Sequence, residues 1–229
     1  MLSIIRLTNL DWLIHTDAGL FTRIGVGAAI FMALAATDLY RNGSRATRWR
    51  EYLFLLAVVA AAMVYGAIND QITSRISWEY FFYGKGLAST LGPATPPNQA
   101  VLCREAMKIG LKATWSAGLI IGAAILIANN PSRSRPQLPY RRLFKHVAMV
   151  LAFCLACAMA LGVAGHRGWL VGLSSNFADM HPTSEFRPQA FMTVFGIHLG
   201  GYVGGAIGTA VACVSIRRAR KREMLRTRM

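Results

Sequence analysis

The chain has 229 residues, of which 54% are hydrophobic and only 15% are charged. A soluble domain of this length normally carries about 25% charged residues, so the composition excludes an ordinary soluble domain. The formal net charge of +15 at pH 7 falls in a few short segments between apolar stretches, which argues against nucleic acid as a partner. The composition therefore predicts an all-α, polytopic transmembrane helical bundle whose main partner is the lipid bilayer.

Five apolar stretches predict five membrane spans in a single membrane domain, 1–229, because about 20 mostly apolar residues cover the hydrocarbon core. The expected spans are about 20–40, 52–70, 112–129, 146–165 and 189–216. The first span is interrupted by Arg23 and Asp38. A four-span arrangement, with residues 1–40 in the cytoplasm or at the membrane surface, would fit the charges equally well.

The distribution of Lys and Arg predicts the orientation of the bundle. Sixteen basic residues lie in 41–50, 131–145 and the tail 217–229, whereas the other two loops hold seven basic and five acidic residues. Short loops rich in Lys and Arg remain in the cytoplasm, where anionic lipids attract them. We therefore expect a multi-pass protein of the bacterial inner membrane, with the N-terminus outside, the C-terminus cytoplasmic and the tail on anionic lipids.

The longest hydrophilic segment, 71–111, is expected to form an outer loop. Within it, Asn98 follows two prolines and is expected to cap a helix that continues to Ala128, about 45 Å at 1.5 Å per residue. Three basic residues recur at every fourth position of this helix: Arg104, Lys108 and Lys112. They are expected either to hold an anionic ligand or lipid headgroup, or to extend their charges from the membrane boundary into water.

Ionisable and polar residues gather at the predicted outer end of the bundle. An ionisable group is costly in hydrocarbon, so each is a candidate for function. The candidates are Asp70, Glu79, His166, His181, His198 and Tyr202. Carboxylates and imidazoles suit a divalent metal such as zinc or iron, and an outward polar pocket could also take a lipid-like ligand. If the protein were an enzyme, metal-assisted hydrolysis or oxidation of such a substrate would fit.

A purely structural network is the alternative interpretation of the same residues, for example an ion pair between Arg75 and Glu79 four residues apart. Geometry also restricts the metal hypothesis. In one continuous helix over 66–82, Asp70 and Glu79 would lie about 180° apart around the axis. A shared site for both carboxylates therefore requires a break in the helix between them.

The last span carries glycines at strict intervals of four: Gly196, Gly200, Gly204 and Gly208. Small residues at this spacing let another helix approach closely, so they predict a packing face. The partner could be a helix of this chain, a second copy in a homo-oligomer, or another subunit of a membrane complex. A small transporter component is a further alternative, because His198 and Tyr202 lie inside this span.

The segment 65–81 resembles a signature of a group of uncharacterised bacterial membrane proteins, in which a "YG…HDQ.T.R…EYF" pattern follows an apolar segment. The matching residues are Asp70, Gln71, Thr73, Arg75, Glu79, Tyr80 and Phe81. The chain departs at Asn69, where the pattern has histidine. The resemblance implies that Asp70 and Glu79 belong to one functional unit, and it implies no activity.

Overall fold

The structure, a computed structural model, describes residues 16–132, 135–173 and 186–227. Five long helices account for most of them: α1 (Asp17–Asn42), α2 (Trp49–Ile76), α3 (Gln99–Ala128), α4 (Tyr140–His166) and α5 (Pro188–Thr227). Each of the five is long and apolar enough to cross a membrane. Across the described ranges the one β feature is an isolated bridge between Ser132 and Arg135. The all-α bundle expected from the sequence is confirmed.

The helices extend beyond the apolar stretches that define the expected spans. α2 continues through Ile76, and α3 begins at Gln99, so the connection between them is shorter than 71–111. The expected cap is confirmed, because the Asn98 side chain accepts hydrogen bonds from the backbone N–H groups of Ala100 (3.0 Å) and Val101 (3.2 Å). The 40 residues of α5 span about 60 Å, so its basic end projects beyond the hydrocarbon as helix.

α2 and α3 form one closely packed helix pair. A Cβ atom added at Gly110 would lie 2.3 Å from the carbonyl oxygen of Gly66, and one added at Gly66 would lie 2.5 Å from that of Gly110. About two and three helical turns further along α3, Gly118 and Gly122 also face α2. The two backbones touch at these positions, and no side chain would fit between them.

α4 and α5 form the second pair, and the glycine row of α5 faces α4. A Cβ atom at Gly196, Gly200 or Gly204 would lie 2.0–2.3 Å from a carbonyl oxygen of α4. At Gly208 it would lie 2.9 Å from the Cα atom of Val150. The face that the sequence singles out is thus covered within the chain, and any other partner using it would have to displace α4.

Arg220 joins the basic end of α5 to the end of α3. It is buried, and its guanidinium donates to the carbonyl oxygens of Ala128 (2.8 Å), Pro136 (2.9 Å) and Arg135 (3.0 Å). The last carbonyl groups of a helix lack partners within the helix and attract a cation. The charge pattern predicts lipid contact for the whole basic tail, whereas in the structure this arginine connects α5 to the end of α3.

α1 lies at the periphery, where it packs against α2. Asp38, which interrupts the apolar stretch of this helix, accepts hydrogen bonds from the backbone N–H of Trp49 (3.0 Å) and from the Asn42 amide (2.7 Å). The carboxylate therefore caps the start of α2. Its place at the end of α1 explains how this span accommodates an acidic residue.

Candidate functional site

Asp70 near the end of α2 meets His198 of α5 inside the bundle. Both side chains are buried, and Oδ1 of Asp70 lies 3.6 Å from Nε2 of His198. Oγ1 of Thr73 lies 3.3 Å from the same nitrogen. The Tyr80 ring stacks on the imidazole with 4.8 Å between ring centroids. Burial raises the pKa of the Tyr80 phenol, so this stacking ring stays neutral.

The hydrogen bonds around His198 define which of its nitrogen atoms carries a proton. The Thr73 hydroxyl donates to the backbone carbonyl of Asn69 at 2.8 Å, so its oxygen can only accept from His198. Nε2 is therefore the donor, and in the neutral ring Nδ1 is left as an acceptor. The pair thus combines the carboxylate of Asp70 with an imidazole whose Nδ1 is an acceptor.

The chain after α2 breaks between Asp70 and Glu79. α2 ends at Ile76, Ser77 is extended, and a π-helical turn follows over Tyr80–Gly84. This is the break that a shared site would require, but the carboxylates enter different networks. Glu79 is fully buried, accepting from the Ser77 hydroxyl at 2.6 Å, and it forms an ion pair with Arg187.

The partner of Glu79 comes from the start of α5. Oε1 of Glu79 accepts from Nε of Arg187 at 2.8 Å and from its backbone N–H at 3.1 Å. These hydrogen bonds raise the pKa of the Arg187 guanidinium. The expected pairing of Glu79 with Arg75 is wrong, because Arg75 lies on the exposed side of α2 and donates to Gln71.

Of the other two histidine candidates, the structure describes His166, which lies apart from the pair of Asp70 and His198. His166 is exposed at the end of α4, where Nδ1 lies 3.2 Å from the Thr193 hydroxyl and Nε2 lies 3.1 Å from the Gln189 amide. His181 falls outside the described residues. Among the described residues, no group of three or more His, Cys, Asp or Glu side chains is placed to hold a metal ion.

A cavity of about 340 Å³ separates the α2–α3 pair from the α4–α5 pair and contains the Asp70–His198 pair at one end. Most of its lining is apolar, and includes Ala117, Ile121 and Val150. Ile120 and Tyr202 also line it, and they are 68% and 52% exposed, so the cavity opens sideways between the helices. Tyr202, a sequence candidate, therefore stands at the mouth of the cavity.

The cavity lining also includes polar groups that were not identified from the sequence, among them Lys85 and Tyr65. Lys85, directly after the π-helical turn, extends its ammonium group over the Tyr80 ring, 5.4 Å from the centroid. The hydroxyl of Tyr65 is buried and has no hydrogen-bond partner among the described residues. A single lysine between Gly84 and Gly86, next to an aromatic run, was the available signal for Lys85.

The basic stripe of α3 is paired with acids of the same chain. Glu105 accepts from Lys108 at 2.8 Å and from Arg104 at 3.3 Å, and Lys112 pairs with Asp17 of α1. Glu105 was not predicted from the sequence as part of this stripe, although it lies next to Arg104 in the chain. An anionic ligand at this stripe would have to compete with these two carboxylates.

Comparison of the chain with known protein families, with curated proteins and with solved structures finds no match. The described part of the chain, with five helices long and apolar enough to cross a bilayer, defines the class of the protein as a multi-pass helical membrane protein.

Proposed function

We propose that this chain is a multi-pass protein of the bacterial inner membrane that binds a lipid-like ligand in the cavity between its two helix pairs. In this proposal the C-terminal end of α5 lies in the cytoplasm on anionic lipid, as the distribution of Lys and Arg predicts. The observation that carries the proposal is the cavity itself: it is mostly apolar, it opens sideways, and it has one polar end.

The position of the mouth favours a ligand that arrives from the bilayer. Ile120 and Tyr202 are exposed on the surface of long apolar helices, where lipid chains surround a membrane protein. A ligand with an aliphatic part can pass between such side chains without entering water. Apolar pockets of roughly 300–1,000 Å³ with few polar groups are typical of small-molecule sites.

The polar end requires a head group that both donates and accepts hydrogen bonds. The carboxylate of Asp70 and Nδ1 of His198 accept, whereas the ammonium group of Lys85 donates. The Tyr65 hydroxyl is buried without a partner, and such a group costs about 1–3 kcal/mol. A ligand head that bonded to it would remove this cost, which makes occupancy of the cavity favourable.

The test is to extract the ligand from detergent-purified protein and identify it by mass spectrometry. We expect Ala117→Phe, which fills the cavity, and His198→Gln, which takes the imidazole away from the polar end, each to lower ligand occupancy by about tenfold. The matched controls are Ala156→Phe, an exposed position outside the cavity, and His166→Gln, a histidine outside it. If both controls lose the ligand to the same extent, or if no protein retains one, the proposal is wrong.

A transporter component is the second candidate, because a ligand at His198 lies within the span of α5. A transporter differs from a binding protein because it takes up the ligand on one side of the membrane and releases it on the other. Flux of the extracted ligand into proteoliposomes, lost in His198→Gln and kept in His166→Gln, would favour transport. Binding without flux would favour a binding protein.

A further inference from the structure

A second, open groove lies between α4 and α5 at the basic end of the bundle. Its rim carries three exposed cations, Lys145 from α4 and Arg218 and Arg222 from α5. Its floor is formed mainly by apolar side chains, among them Met149, Val211 and Val214. The groove thus combines a cationic rim with an apolar floor, and it is separate from the cavity beside Asp70 and His198.

The cations of the rim are not neutralised by the part of the chain that the structure describes. No carboxylate of that part lies within 4.0 Å of Lys145, Arg218 or Arg222, whereas the neighbouring Arg142 pairs with Glu223 at 3.2 Å. Three like charges held around one groove repel each other, and an anion between them would relieve that repulsion.

The groove lies at the level where the apolar parts of both helices end. The apolar stretch of α4 begins at Val147, and that of α5 ends at Ile216. The rim therefore lies at headgroup level, while Met149, Val211 and Val214 extend one or two turns into the hydrocarbon. Basic pockets between transmembrane helices on the cytoplasmic side bind anionic headgroups, and the distribution of Lys and Arg assigns this end to the cytoplasm.

We infer that this groove binds one anionic phospholipid, with the phosphate between Lys145, Arg218 and Arg222 and an acyl chain along the apolar floor. Phosphatidylglycerol has the required chemistry, a net negative headgroup on two acyl chains. A zwitterionic phospholipid presents a cation of its own to the same rim and binds less well. The site is a defined position, unlike the general attraction of a basic tail to a charged surface.

The test is native mass spectrometry of the full chain in detergent with added phosphatidylglycerol or phosphatidylcholine. We expect the wild-type protein to retain one phosphatidylglycerol and no phosphatidylcholine. Each cation near the surface contributes roughly fivefold to affinity, so replacing Lys145, Arg218 and Arg222 by Gln together should weaken binding by about 100-fold. The matched control replaces Arg41, Arg45 and Arg48 by Gln, which removes three exposed charges from the same predicted side.

Several results would overturn the inference: equal retention of both lipids, full retention by the triple groove variant, or an equal loss in the control. Displacement of the lipid by millimolar inorganic phosphate would show that the rim binds free phosphate instead. The single change Arg222→Gln removes the charge of one exposed side chain and leaves the packing intact, so it tests the site even if the triple variant does not fold. A loss of about fivefold is expected for it, and no loss would contradict the site.

Discussion

Replacing Gly200 by alanine puts a methyl group into the backbone contact between α4 and α5. The added Cβ atom would lie 2.3 Å from the carbonyl oxygen of Cys157 and 2.6 Å from the Cα atom of Ala158. Both neighbours are backbone atoms of a helix and cannot move aside on their own, so the two helices must separate locally. Gly201→Ala is the matched control, because its nearest neighbour is the Tyr65 hydroxyl at 3.4 Å.

The difference between the two variants isolates the cost of packing. Alanine favours a helix over glycine by about 1 kcal/mol in both, so this gain cancels in the comparison. Inserting a methylene-sized group into a well-packed contact costs about 1–3 kcal/mol. We therefore expect the free energy of unfolding of Gly200→Ala to lie about 1–3 kcal/mol below that of Gly201→Ala.

The assay is reversible unfolding in mixed detergent micelles, followed by far-ultraviolet circular dichroism. Equal stability of Gly200→Ala and Gly201→Ala would show that α4 does not contact α5 at this position. The same result would remove the basis for placing the glycine row of α5 against α4. A shift in oligomeric state in Gly200→Ala, without a change in unfolding, would instead indicate that a second copy covers this face.

Two further changes test the ends of the bundle in the same assay. Arg220→Ala leaves the last carbonyl groups of α3 without their cation and should lower the free energy of unfolding by about 2–3 kcal/mol. The control Arg226→Ala, at an exposed position, should leave the free energy of unfolding nearly unchanged. Equal effects of the two changes would contradict the carbonyl contacts of Arg220. Arg187→Gln leaves the buried carboxylate of Glu79 without its counter-ion and should cost about 3 kcal/mol, at the lower end for a broken buried pair because Arg187 is 54% exposed. The double variant with Arg187→Gln and Glu79→Gln should recover part of that loss. Arg75→Gln alone should have no comparable effect, and a large effect would instead support an ion pair between Arg75 and Glu79.

Features that depend on neighbouring residues could be predicted from the sequence. Apolar stretches of sufficient length determine where helices can cross a bilayer, and the structure has the corresponding five. Asn98 caps α3 because an N-cap bonds to backbone groups only two or three residues away. The spacing of Gly196, Gly200 and Gly204 shows that one helix face lacks side chains, although it does not show which helix covers it.

The tertiary structure decided every pairing between distant residues. Glu79 could have bonded to Arg75 in the same segment, but the chain bends at Ser77 and brings it to Arg187 instead. Lys85 directly follows the π-helical turn Tyr80–Gly84 and lines the cavity that also contains Asp70 and His198, which lie in α2 and α5. Helical periodicity specifies which way a side chain faces on its own helix. The residue that the side chain contacts depends on how separate helices pack, and no single segment of the sequence determines that packing.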